Sequence, residues 1–161
     1  MKPESITVLG VDPGAKGGWA LLVGETSSIE NSSVITYDKF RDSESFLEQM
    51  KRLDTNHSID KVIIEKVHAH PQQGVSSTFK FAANFGFEKG VLASIFGWEL
   101  VEEIMAQKWQ QYLEIPKSES KTEHKNKLKE KAQEFWPDCR WTLATCDAPL
   151  LALWGILRYN E

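Results

Sequence analysis

Two short apolar runs that each finish on an acid, Ile6 to Asp12 and Lys61 to Glu65, constrain this chain more than anything else in it. The second, Lys61-Val62-Ile63-Ile64-Glu65, has the unbroken β-branched character of a central strand buried on both faces. The first is followed by Asp12-Pro13-Gly14, a turn signal, and by another apolar run from Trp19 to Val23, which predicts a β-hairpin. A third strand around Val34 to Tyr37 completes an antiparallel meander.

The rest of the pattern is mostly helical. Phe46, Leu47, Met50 and Leu53 share one face of a helix predicted from about Ser43, with Asp42 or Ser43 as N-cap. Gly74 to Phe96 reads as a long helix with Val75, Phe79, Ala82, Gly86, Gly90 and Ala93 on or near one stripe, and its glycines suggest close approach to a sheet. Trp98 to Ile104 is expected as an edge strand, Gln107 to Tyr112 as a short helix, and Thr122 to Phe135 as a Lys-rich one. Ser118 to Glu123 is expected to be a mobile loop. The last helix, Asp147 to Arg158, tolerates Pro149 in its first turn. Three strands, helix, strand, helix, strand and further helices make an α/β fold: a mixed five-stranded sheet flanked by helices. The length, 161 residues, suits one domain spanning 1–161.

Composition excludes some classes. With 41% hydrophobic and 26% charged residues the chain has the make-up of a folded protein. No apolar run is long enough for a membrane span, and Met1 to Ser5 carries no basic stretch leading into a signal-peptide core, so a cytoplasmic location is expected. Cys139 and Cys146 have no second pair and no His at zinc-site spacing, and are read as reduced thiols. The net charge of −4 is not that of an overall basic nucleic-acid binder, so any such role must rest on local charge.

The chemistry lies in the acids. If the strands ending at Asp12 and Glu65 are neighbours, their side chains converge at one edge of the sheet, and Asp147, opening the last helix, can join them. Taken singly, these are an ordinary turn acid, a strand-end glutamate and a helix cap. Together they repel, because like charges disfavour ionisation, and a divalent cation relieves this. Hard oxygen ligands favour Mg²⁺, with Mn²⁺ able to substitute, and metal-assisted phosphodiester cleavage is the chemistry such a site permits.

Val8-Leu9-Gly10-Val11-Asp12-Pro13-Gly14 followed by Gly18-Trp19-Ala20 resembles the opening motif of RuvC-type Holliday junction resolvases. Val62-Ile63-Ile64-Glu65-Lys66-Val67-His68 with Gly74 to Phe81 resembles the second motif, in its phage-type form. Gln107-Lys108-Trp109 is similar to a basic segment of that family, and Asp147-Ala148 through Leu151-Ala152 and Gly155 to its final motif. Sugar kinases and heat-shock ATPases share the Asp-x-Gly opening, but they hold two such domains and this chain has room for one.

The resemblance implies an RNase H-like fold and a Mg²⁺-dependent endonuclease that cleaves four-way DNA junctions, such as branched phage replication intermediates, as a homodimer with the helix from Gly74 at its interface. It implies Asp12, Glu65 and Asp147 as catalytic metal ligands. Lys66, Lys80, Lys89 and Lys108 lie in or beside the motifs as DNA contacts, Lys80 foremost. His68 stands where some relatives place an aromatic wedge; a plain loop role is the alternative. One departure matters: the family commonly has a further acid three positions before the last, and here that place is Ala144. Two other functions stay open: a junction-binding protein with weakened catalysis, and a ribonuclease acting on RNA:DNA hybrids. Lys117, Lys121, Lys125, Lys127, Lys129 and Lys131 read as a solvated helix face balanced by Glu119, Glu123, Glu130 and Glu134. Trp19, Trp109, Trp141 and Trp154 read as core. Phe79 or Phe85 could serve the dimer contact.

Overall fold

A computed structural model describes residues 5–161; Met1 to Glu4, most of the segment read above for a targeting signal, lie outside the described residues. Strands β1 (Ile6–Asp12), β2 (Gly18–Gly24) and β3 (Ser32–Lys39) form the antiparallel meander, and β4 (Lys61–Glu65) and β5 (Val101–Ile104) add to β1 in parallel, in the order β3-β2-β1-β4-β5. Helix α1 (Ser43–Asn56) links β3 to β4, and α2 (Val75–Phe96) links β4 to β5. Then come α3 (Ala106–Tyr112), α4 (Lys121–Phe135) and α5 (Asp147–Leu157). The expected mixed five-stranded sheet with helices on both faces is what forms.

Side chains along a strand alternate between faces, and this divides the core in two. Leu9, Val11, Trp19, Leu21, Val62 and Ile64 pack with residues of α1 and the C-terminal half of α2. Ile6, Val8, Ala20, Leu22 and Ile63 pack on the other face with α3, α4 and the almost wholly buried α5. The same parity puts Asp12, two residues after Gly10, and Glu65, two after Ile63, on the α5 face. Gly10 pairs with Ile63 and Val11 with Ile64, so one further step of register brings Asp12 beside Glu65.

Helix α5 reaches these acids because it lies unusually close to the sheet. A Cβ on Gly10 would run into the carbonyl oxygen of Ala148 and stand 2.7 Å from the nitrogen of Ala152, and one on Gly155 would stand 2.6 Å from Ile63 Cγ1. Gly10 lets the strand and helix backbones meet, and Gly155 leaves room for the Ile63 and Val8 side chains.

Three local expectations change. Only Val101–Ile104 of the expected edge strand is strand; Trp98–Leu100 is a 3₁₀ turn, because Gly97 at φ 96° ends α2 and turns the chain sharply. The expected loop Ser118 to Glu123 is helical from Lys121, since the Ser120 hydroxyl caps α4 by accepting from the Glu123 N–H. The glycines of α2 do not meet the sheet: nothing lies within 4 Å of a Cβ built on Gly86 or Gly90. Its stripe is buried at Ala93 and open toward the N-terminus. Val75 and Phe79 are 88% and 74% exposed, and the buried residues are Glu88, Leu92, Ala93 and Phe96. Asp42 is the α1 N-cap, accepting from the Ser45 N–H, and Trp19, Trp109, Trp141 and Trp154 are buried as expected.

Gly10→Ala should destabilise the protein by about 1–3 kcal/mol or more, as overpacking against backbone does, measured by chemical denaturation. Unchanged stability would contradict the close seating of α5.

Candidate metal and nucleic-acid site

Asp12, Glu65 and Asp147 line one open cleft of about 650 Å³ at the edge of the sheet, together with Lys125, Lys80 and Asn84. Asp12 comes from the end of β1, Glu65 from the end of β4 and Asp147 from the first turn of α5, where the helix dipole favours an anion. The side chain of Asp12 is 13% exposed and that of Asp147 6%.

The carboxylates feel one another. Burial raises the Asp12 carboxyl well above the ordinary range, and the charges of Asp147, Glu65 and Glu88 push the same way against Lys125. Glu65 is raised to about 7 by burial and by Asp147, opposed by a hydrogen bond from Trp109 and by Lys125. Burial and Asp147 hold the Cys146 thiol up, so it stays protonated, and its Sγ lies 3.2 Å from Asp147 Oδ1.

Lys125 occupies the middle of the group. Its Nζ is 2.8 Å from Asp147 Oδ2 and 3.6 Å from Asp12 Oδ2. Burial alone would lower its pKa, but the two aspartates outweigh that and raise it, so the ammonium is firmly charged. Among the described residues no three His, Cys, Asp or Glu side chains are gathered as a ready ligand set. The donor chemistry nonetheless fits a hard divalent cation: buried carboxylate oxygens, mutually repelling, already drawn around a positive charge.

Two residues brace the acids from behind. Trp109, fully buried on α3, donates its indole N–H to Glu65 Oε2 at 2.8 Å. Glu88, buried on α2, accepts from the Gly14 N–H at 2.9 Å and from Asn84 Nδ2 at 2.7 Å. Gly14 sits at φ 113°, a conformation glycine adopts readily, so the turn after Asp12 is tied to α2.

The basic residues expected to contact DNA scatter. Lys80 lines the cleft from α2. Lys66 and His68 are exposed just beyond β4, and the His68 ring lies 5.1 Å from that of His70. Lys89 is turned away, paired with Glu103 and over the Trp98 ring. Lys108 lines a separate cleft with Lys61, Glu102 and Arg158. The positions of Lys89 and Lys108 thus differ from the expected place around the acids, because each points off its helix away from the Asp12 edge. Lys16, from the turn after Asp12, lines the acidic cleft instead.

Sequence reasoning missed Lys125, Glu88 and the second role of Trp109. Lys125 carried a signal: three and seven residues before the buried Leu128 and Ala132, it shares their stripe and so faces inward on α4. Glu88 also lay among apolar residues, Phe85, Leu92 and Phe96, on the buried side of α2. Trp109 and Glu65 are far apart in sequence, and nothing local joins them.

No protein-family model matches the chain, and neither does any curated protein sequence. Solved structures do. The fold is that of RuvC: the Thermus thermophilus RuvC structure superposes with a TM-score of 0.72 at 12% identity, covering 96% of this chain and 95% of that one. T. thermophilus RuvC in complex with a Holliday junction substrate gives a TM-score of 0.69 at 14% identity, over 96% of this chain and 94% of that one. Fowlpox virus resolvase in complex with Holliday junction DNA gives 0.54 at 16% identity, over 97% and 100%.

Glu88 makes stability depend on pH with a defined sign. Burial raises its carboxyl from 4.5 to about 8, against the lowering effect of the Gly14 N–H. The unfolded chain therefore releases this proton first as pH rises, so the Glu88 contribution to stability is full below about 4.5 and is lost toward 8. Denaturation in chelator should show that decline in the wild type. Glu88→Gln should lessen it by a few kcal/mol, since each tenfold difference in proton affinity between folded and unfolded chain is worth about 1.4 kcal/mol. Parallel stability curves for the two proteins would contradict this placement of Glu88.

Proposed function

We propose that this chain is a Mg²⁺-dependent endonuclease that cleaves four-way DNA junctions, working as a homodimer with residues 1–161 as one nuclease domain. The observation that carries the reading is the convergence of Asp12, Glu65 and Asp147 on one cleft of a RuvC fold, around a position already favourable to positive charge.

When bound, Mg²⁺ supplies Lewis-acid stabilisation of a phosphodiester and a more acidic water; Mn²⁺ can substitute. Asp12, Glu65 and Asp147 would hold it. Lys80 and Lys16 line the same cleft and neutralise backbone phosphates entering it, which offsets the repulsion of DNA by the acids and makes binding weaken with salt. Lys125 keeps a positive charge against Asp12 and Asp147, and so limits their mutual repulsion before substrate arrives.

A homodimer would suit a junction substrate. Two coordinated nicks on opposite strands require two sites related by the two-fold symmetry of the junction. Val75 and Phe79 are exposed apolar residues on the N-terminal half of α2, next to the cleft-lining Ser77 and Lys80, and Gly86 and Gly90 leave open space on the same helix. Such a surface suits helix-to-helix contact between two copies.

Ala144 favours a second reading, a junction-binding protein with weakened catalysis. It stands three residues before Asp147, in a turn fastened by Thr142 and Thr145. Among the described residues no other acid lines the cleft in its stead, and Glu88 is turned to Gly14.

Asp12→Asn and Glu65→Gln should each lower junction cleavage by about 100-fold or more, the scale of losing one transition-state charge stabiliser, while junction binding persists in a mobility-shift assay. Wild-type cleavage by either variant would contradict the assignment. Junction, linear duplex and RNA:DNA hybrid substrates compared side by side should rank the junction first; a preference for the hybrid would favour a ribonuclease. Ala144→Asp tested beside wild type separates the two main readings: comparable rates mean that three acids suffice, and a cleavage rate that appears only in the variant identifies a binding protein.

A further inference from the structure

We infer that Trp109 is a positioning residue for metal capture: its indole N–H fixes one oxygen of Glu65, so that the other is presented to the cation. This rests on the metal-nuclease reading above and assigns a new task to a residue that is otherwise plain core.

The contact is specific. Trp109 has no exposed surface, and its Nε1 donates to Glu65 Oε2 at 2.8 Å across 44 residues of sequence. Helix α3 carries Trp109 beneath the sheet edge, with Leu113 and Ile115 buried after it in the same cluster as α5. The Glu65 side chain, by contrast, projects from a strand end that is only half-buried. A glutamate there has three side-chain torsions to fix, and a free carboxylate must lose that freedom when it ligates. A charge-assisted bond from a rigid indole removes much of it beforehand. Groups that hydrogen-bond a ligating side chain from behind commonly set metal affinity by 10–100-fold.

Core packing alone does not explain the arrangement. Trp136, in the same apolar cluster and nearly as buried, has an indole N–H with no partner. This fold therefore tolerates an unpaired buried indole, and a matched truncation can be made at a Trp that touches no acid.

The test is calorimetric titration of Mn²⁺ into DNA-free protein, with thermal melting recorded alongside. Trp109→Phe keeps a ring in the core and removes only the donor; it should weaken Mn²⁺ binding by about 10-fold or more. Trp136→Phe, the control for loss of an indole from the core, should bind as wild type even where its melting temperature falls as far. Mn²⁺ affinity in Trp109→Phe equal to wild type, or lowered equally in both variants, overturns the proposal while leaving the nuclease reading intact. Failure of the wild type to bind Mn²⁺, or binding unchanged by Glu65→Gln, overturns the reading and this proposal with it. Should Trp109→Phe fail to fold, Trp109→His, which restores a ring N–H, is titrated in its place, and affinity equal to that of Trp109→Leu overturns the proposal.

Discussion

Like-charge repulsion at the edge of the sheet is the constraint around which this protein is arranged. Asp12 and Glu65 are forced together by the parallel register of β1 and β4 and by side-chain alternation, and Asp147 is pressed against them because α5 lies backbone to backbone on Gly10. Packing that is favourable over the length of α5 thus drives an unfavourable meeting at its first turn. The ammonium of Lys125 offsets part of that repulsion. A divalent cation would relieve more of it, having higher charge and the ability to take several oxygens at once. On the proposed reading, affinity for such an ion would come from the fold rather than from any one residue.

Much of this was legible in the sequence, and the reasons differ from element to element. The β-branched run Lys61 to Glu65 and the hairpin around Asp12-Pro13-Gly14 are local signals, and they located both strands and the acids at their ends. The position of α5 followed from its apolar residues and the Pro149 tolerated in its first turn. What failed was inference about faces. The glycines of α2 invited close packing on the sheet, yet a Cβ on Gly86 or Gly90 would meet nothing within 4 Å, and the helix is buried through Glu88, Leu92, Ala93 and Phe96 instead. Lys125 looked like one of many solvated lysines because composition outweighed its place on the stripe of Leu128 and Ala132. The contacts Trp109–Glu65 and Glu88–Gly14 join distant segments, and only the folded chain brings them together.

Helix α2 serves two demands with its two halves. Its C-terminal half anchors in the core, with Leu92, Ala93 and Phe96 buried, and its Glu88 carboxylate grips the turn after Asp12. Its N-terminal half offers Ser77, Lys80 and Asn84 to the cleft and leaves Val75 and Phe79 uncovered. One rigid rod therefore ties the acids to the exposed apolar surface proposed above for a second copy. On the proposed reading, that arrangement would reconcile an acidic chain with a polyanionic substrate, since positive charge is needed only where DNA would pass.

Anomalous diffraction from crystals soaked in Mn²⁺ tests the central claim most directly. The account predicts a peak bounded by the carboxylates of Asp12, Glu65 and Asp147, with the Lys125 ammonium shifted from between Asp12 and Asp147. A map without that peak at saturating Mn²⁺, with Lys125 still bridging the two aspartates, would contradict it.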